Sequence, residues 1–118
     1  DINKGEEPKM GLQDYIAEQI AKRPIEATLV RKVYKALKKA GTPIVSGYDY
    51  EEKVSLTSQQ DVLNFAFNLD EFYLYTSEGA MVRMIMGQGA EGLVDYSMSL
   101  EKAFDDYGLN EWIDKKMD

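Results

Sequence analysis

Neither cysteine nor histidine occurs among the 118 residues of this chain. Their absence removes thiol nucleophiles, disulfides, imidazole acid–base catalysis and the usual zinc, haem and iron–sulfur ligand sets. A serine triad that relies on histidine is impossible for the same reason. Proline is scarce, at three residues, while 44% of the chain is hydrophobic, a balance too apolar and too proline-poor for intrinsic disorder. Apolar runs such as residues 72–75 and 84–86 fall far short of the roughly 20 residues that cross a bilayer. No basic segment leads into an apolar one near the start, so no secretory signal is expected and a cytoplasmic home is the default. Residue 1 is Asp; the start reads as a processed or added end, with Met10 a candidate initiator.

What is present suits one folded unit. A chain of this size buries roughly two thirds of the surface its unfolded form exposes, enough for a core without staples. Residues 1–10 are polar, carry Gly5 and Pro8 and read as a tail or linker, leaving 11–118 as a single α+β domain. Apolar residues spaced three and four apart predict a helix over Leu12–Lys22, stopped by Pro24, and a second over 25–40, stopped by Gly41. The period then shortens. Ile44, Val45 and Tyr48, then Val54 and Leu56, predict two short strands, with residues 47–52 as their turn. Thr57 or Ser58 caps a helix over 58–68, apolar nearly all round and therefore expected to be the central core helix.

Residues 71–75 and 80–86 flank Thr76–Ser77–Glu78–Gly79 and predict a β-hairpin. Gly87, Gly89 and Gly92 suggest a flexible connection, after which Leu93–Tyr96 is a candidate short strand. Two helical pieces, 99–107 and 110–117, split at Gly108, with Ser99 and Asn110 as caps. The expected architecture is a small antiparallel sheet of about four short strands with helices packed on one face, two of them N-terminal and one or two C-terminal.

The three glycines match the spacing G-x-G-x-x-G of a dinucleotide loop, but the preceding strand is the return leg of a hairpin rather than the start of a βαβ unit, so no cofactor is expected. The acidic spots Asp49–Tyr50–Glu51–Glu52 and Asp105–Asp106 do not match the alternating ligand pattern of a calcium loop, so no metal site is assigned. The P-loop and the nucleophile elbow are absent. No catalytic residue stands out, and the chain is read as non-enzymatic.

Charge is unevenly distributed within a net −7. Residues 22–39 hold seven basic residues against the single acid Glu26, a local +6, whereas residues 43–118 hold five basic and fifteen acidic residues, a local −10. Arg31, Lys35, Lys38 and Lys39 on the helix 25–40 are candidate nucleic-acid contacts, or simply the wet face opposite Leu29, Val33 and Leu37. Conversely, Asp49, Glu51, Glu52, Asp70, Glu71, Asp95, Glu101, Asp105 and Asp106 could mimic a phosphate surface, as in an acidic inhibitor.

Tyrosine is the more suggestive excess, at eight residues. Tyr48 and Tyr50 are two apart, as are Tyr73 and Tyr75, so on strands each pair shares a face. With Phe72 and Leu74 turned inward, Tyr73 and Tyr75 face outward, where large amphipathic rings make good anchors. The reversed register, or helices on both faces, would bury them instead; the sequence leaves both placements open. Met81, Met84 and Met86 fit either core filling or a pliant surface. The chain is similar in character to many small bacterial and phage-encoded proteins and carries no family motif. It reads as a protein-interaction or regulatory module using Tyr48, Tyr50, Tyr73 and Tyr75, with a second copy of itself among the candidate partners.

Overall fold

The computed structural model describes residues 11–117; the tail expected at 1–10 lies outside them. Helix α1 (Leu12–Lys22) and helix α2 (Pro24–Lys39) meet at Arg23, which has φ −128°. Pro24 has a double effect here. It disfavours helical geometry in the residue before it, ending α1, and it occupies the first turn of α2, where a missing amide donor costs nothing. Past Lys39 the chain turns at Gly41, whose φ of +82° suits a residue without Cβ.

Strands β1 (Ile44–Tyr48) and β2 (Lys53–Ser55) form a hairpin, followed by helix α3 (Gln59–Ala66), then β3 (Glu71–Thr76), β4 (Met81–Ile85), a 3-10 turn (Gly89–Gly92) and β5 (Leu93–Tyr96). A second 3-10 turn (Met98–Leu100) leads into α4 (Glu101–Asp106) and α5 (Leu109–Met117). The strands make one antiparallel sheet in the order β2-β1-β3-β4-β5. Ser58 caps α3 by accepting from the Asp61 amide, while the Asp61 carboxylate accepts from the Thr57 amide and hydroxyl.

The α+β class and the antiparallel sheet are as expected, but several details differ. The sheet has five strands rather than about four, because Leu93, Asp95 and Tyr96 pair with β4 across one irregularity. The helical layer also includes the middle helix α3, which packs on α2 and α1 and has no place in a pattern of N- and C-terminal helices alone. Nor is α3 the central helix. It buries Val62, Leu63 and Ala66, whereas α2 buries eight residues and contacts α1, α3, α4, α5, the first 3-10 turn and β1. An all-round apolar pattern misled because Phe67 lies just past the end of α3 and Phe65 stays half-buried. Gly47 belongs to β1 and not to the turn: a Cβ there would come within 2.5 Å of the Phe65 ring, so its glycine marks a close approach. At the C-terminus, Ser99 lies inside a 3-10 turn and Asn110 inside α5, where it donates to Asp105 instead of capping.

The core lies between the helices and one sheet face. Phe72, Leu74, Val82 and Met84 point inward and are fully buried with Leu29, Val33, Leu37, Leu63 and Phe104, each contributing about 1.5–3 kcal/mol of apolar burial. Tyr34 and Tyr96 join this side, Tyr96 packing edge-on against Phe104 with ring centroids 4.8 Å apart.

The glycine-rich connection is not loose. Glu26, 7% exposed, reaches from the first turn of α2 and accepts through Oε2 from the Gly87 and Gly89 amides at 2.9 and 3.0 Å. Its Oε1 accepts from Arg23 at 3.2 Å, and the Arg23 guanidinium lies over the Phe67 ring at 4.7 Å. With Gly87 and Gly89 both at positive φ, the loop presents amides to an anion, as dinucleotide loops do, but the anion is the protein's own carboxylate.

Candidate functional site

The second face of the sheet is where the tyrosines gather. Strand burial alternates along β3 and β4: Phe72, Leu74, Thr76, Val82 and Met84 are buried, while Glu71, Tyr73, Tyr75, Met81, Arg83 and Ile85 are only half-buried. Register aligns the latter set across strands. Tyr48 pairs with Tyr73 and Lys53, Tyr73 with Arg83, and Arg83 with Asp95, forming one row; Ser55, Ser46, Tyr75 and Met81 form the next. Because side chains alternate across the pleat, these rows share the face turned away from the helical layer.

Tyr48, Tyr50, Tyr73 and Tyr75 form one contiguous aromatic surface. Ring centroids are 5.8 Å apart for Tyr48–Tyr50, 5.4 Å for Tyr50–Tyr73, 6.4 Å for Tyr48–Tyr73 and 6.3 Å for the near-parallel pair Tyr73–Tyr75. Tyr48, Lys53 and Tyr75 line an open cleft of ≈ 280 Å³, with the Lys53 ammonium 5.8 Å from the Tyr75 ring centre.

Tyr50 reaches this surface from the β1–β2 turn, in a left-handed conformation with φ 77°. That geometry costs a non-glycine residue about 1–3 kcal/mol and clusters at functional sites. Asp49 imposes the turn by accepting from the Glu51 and Glu52 amides, both at 2.9 Å, and these bonds hold its carboxyl below the usual range. At the other end of the side chain, the Tyr50 hydroxyl donates to Glu71 Oε2 at 2.8 Å, and Arg83 donates to the same oxygen. Removal of the phenol from water, followed by its bond to Glu71, pushes Tyr50 up to about 12. The Arg83 hydrogen bond, then Tyr50, hold Glu71 below its ordinary value, and Arg83 is raised in turn by Glu71.

Ser46 stands apart within the same rows. It sits two residues before Tyr48 and opposite Tyr75, yet is 6% exposed, and its Oγ has no hydrogen-bond partner among the described residues. Arg83, Lys53 and Ser46 were not singled out from the sequence. The period-two alternation that turns Tyr73 outward would have found Arg83, once Val82 and Met84 were turned inward. Of the methionines, Met84 and Met86 are buried and Met81 lies on the open face.

The cations of α2 are dispersed. Lys35, Lys38 and Lys39 are exposed, but Lys38 rests 6.0 Å from the Tyr34 ring and Lys39 5.8 Å from Tyr107. Arg31 is half-buried in a separate groove with Gln13, Ala17, Ile20, Gln60 and Asn64. The acids likewise fall into two groups, apart from Asp95, which stands alone on β5 opposite Arg83. Antiparallel order brings Asp49, Glu51, Glu52, Asp70 and Glu71 to one end of the tyrosine face, where β1 ends and β3 begins. Glu101, Asp105 and Asp106 belong to α4, where Asp106 pairs with Lys102 at 2.7 Å and Asp105 accepts from Asn110. Among the described residues, no three acidic side chains converge as a metal site would require, and no helix is long and apolar enough to cross a membrane. No protein-family model, curated protein or solved structure matches this chain.

Proposed function

We propose that this chain is a non-enzymatic protein-interaction module whose binding surface is the sheet face carrying Tyr48, Tyr50, Tyr73 and Tyr75. One observation carries the reading. Four tyrosines from three segments meet on a sheet face that the helical layer leaves open, with one of them held there in a strained backbone conformation. Rings of this kind offer large contact area at low entropic cost, and their hydroxyls tolerate water when unbound.

The partner is a different chain rather than a second copy. The five strands, three to six residues long and about 4.8 Å apart, span roughly 350–400 Å², under half of the ~800 Å² per partner of a stable interface, an area that suits a peptide segment of another chain better than a whole second copy. Two copies would also bring like-charged surfaces together. The edges support the same conclusion: β2 has three residues and carries Lys53, and β5 has four, interrupted by an irregularity beside Asp95, features that discourage edge-to-edge pairing. The basic helix supports a nucleic-acid reading less well, because Arg31 lies in a groove of its own and two of the lysines rest on rings.

Panning a random peptide display library against the chain tests this reading. Selected peptides are expected to bind the wild-type chain and to lose at least about tenfold in affinity when Tyr73→Thr and Tyr75→Thr are combined, since aromatic anchors dominate such surfaces. Circular dichroism checks that the double variant is folded. Peptides that bind both proteins equally would contradict the proposal.

A further inference from the structure

We infer that the tyrosine face receives a basic, arginine-bearing peptide segment, with one guanidinium seated in the cleft between Tyr48 and Tyr75. The inference rests on the interaction reading above and supplies the partner's chemistry.

Two independent features converge on it. First, the cleft already attracts a cation: the exposed Lys53 lays its ammonium 5.8 Å from the Tyr75 ring centre. Ring faces are negative and draw cations, more strongly as water is excluded. Lys53 is a long, exposed side chain on a three-residue edge strand, so an incoming guanidinium displaces it readily. Second, the charge beside the rings is complementary. Arg83 is already paired with Glu71, while Asp49, Glu51, Glu52 and Asp70 at that end of the face form no ion pair among the described residues. Such a rim steers basic segments in and repels phosphate backbones and other copies of this acidic chain. A planar guanidinium stacks on a ring face while its several N–H donors stay free for the acidic rim.

Fluorescence anisotropy tests this with the full chain at low salt, using a labelled nonapeptide that alternates arginine and serine. The same peptide is made with citrulline, which keeps the shape and loses the charge, and with glutamate; an oligouridine serves as the nucleic-acid probe. The arginine peptide is expected to bind at least about tenfold more tightly than the citrulline form, and to lose a similar factor with Tyr73→Thr/Tyr75→Thr. Lys53→Ser vacates the ring and is expected to strengthen binding severalfold. The inference is overturned if citrulline or glutamate binds as well as arginine, if oligouridine competes for the tyrosines, or if Lys53→Ser weakens the arginine complex. Failure of the partner chemistry is separable from failure of the surface. Display-selected peptides that need the tyrosines but carry no arginine or lysine would remove only the former, and binding indifferent to the tyrosines would remove both.

Discussion

Removing the Glu26 carboxylate is expected to be among the most destabilising single changes outside the apolar core. Its two oxygens hold the Gly87 and Gly89 amides and the Arg23 guanidinium, which itself lies on Phe67. One side chain therefore ties the α1–α2 corner to the loop that delivers β5 to the sheet. In Glu26→Ala, the Arg23 charge loses its partner and two part-buried amides lose a charged acceptor. Each such loss costs about 1–3 kcal/mol, with Gly87 at the low end because it is exposed and water can replace the carboxylate there. A net loss of about 2–3 kcal/mol follows, below what breaking a fully buried ion pair costs because the Arg23 side chain is 32% exposed and water screens its lost partner. For a chain of this length that lowers the melting temperature by roughly 10 °C. Urea denaturation measures it, with an unchanged slope showing that the transition remains two-state. Amide exchange should accelerate first at Gly87 and Gly89. A loss below about 0.5 kcal/mol, the level of an ordinary surface substitution, would refute the assignment of Glu26 as a tie.

Gly92→Ala places a Cβ 2.8 Å from the Ile85 carbonyl oxygen, and because backbone cannot move aside cheaply it should cost about 1–3 kcal/mol by thermal melting. Alkaline titration followed by tyrosine absorbance should show one phenol ionising late, at about 12, and Tyr50→Phe should remove that component. Since the folded Tyr50 value is raised, the stabilisation it carries is present below the ordinary phenol range and lost as pH rises through the folded value. Glu71 has the opposite sign. Its lowered value means that its contribution is intact above the usual carboxylate range and disappears as pH falls through the folded value, so Glu71→Gln should flatten the acid limb of the stability profile.

The elements whose local chemistry and tertiary role agree were legible before any coordinates. Pro24 and Gly41 bracket α2, a cap at Thr57 or Ser58 opens α3, with Ser58 the one that accepts the Asp61 amide, and Gly79 turns the β3–β4 hairpin with φ +83°, because each acts locally. The strand alternation offered two registers, and burial of Phe72 and Leu74 selects the one that turns Tyr73 and Tyr75 outward. What escaped depends on partners distant in sequence. Gly47 looks like a turn residue until Phe65 is seen against it, and the Gly87–Gly89 stretch looks loose until Glu26, more than sixty positions away, is seen to hold it. The left-handed Tyr50 and the Ser46 hydroxyl, unpartnered among the described residues, leave no mark in residue type at all.

The most direct measurement is nuclear magnetic resonance mapping of a display-selected peptide on the isotope-labelled wild-type chain, which needs no substitution. Shift changes are expected to concentrate on Tyr48, Tyr50, Tyr73, Tyr75 and their row neighbours Ser46, Lys53 and Arg83, with α2 unperturbed. Changes centred on Arg31, Lys35, Lys38 and Lys39, with the tyrosine rows silent, would contradict the account.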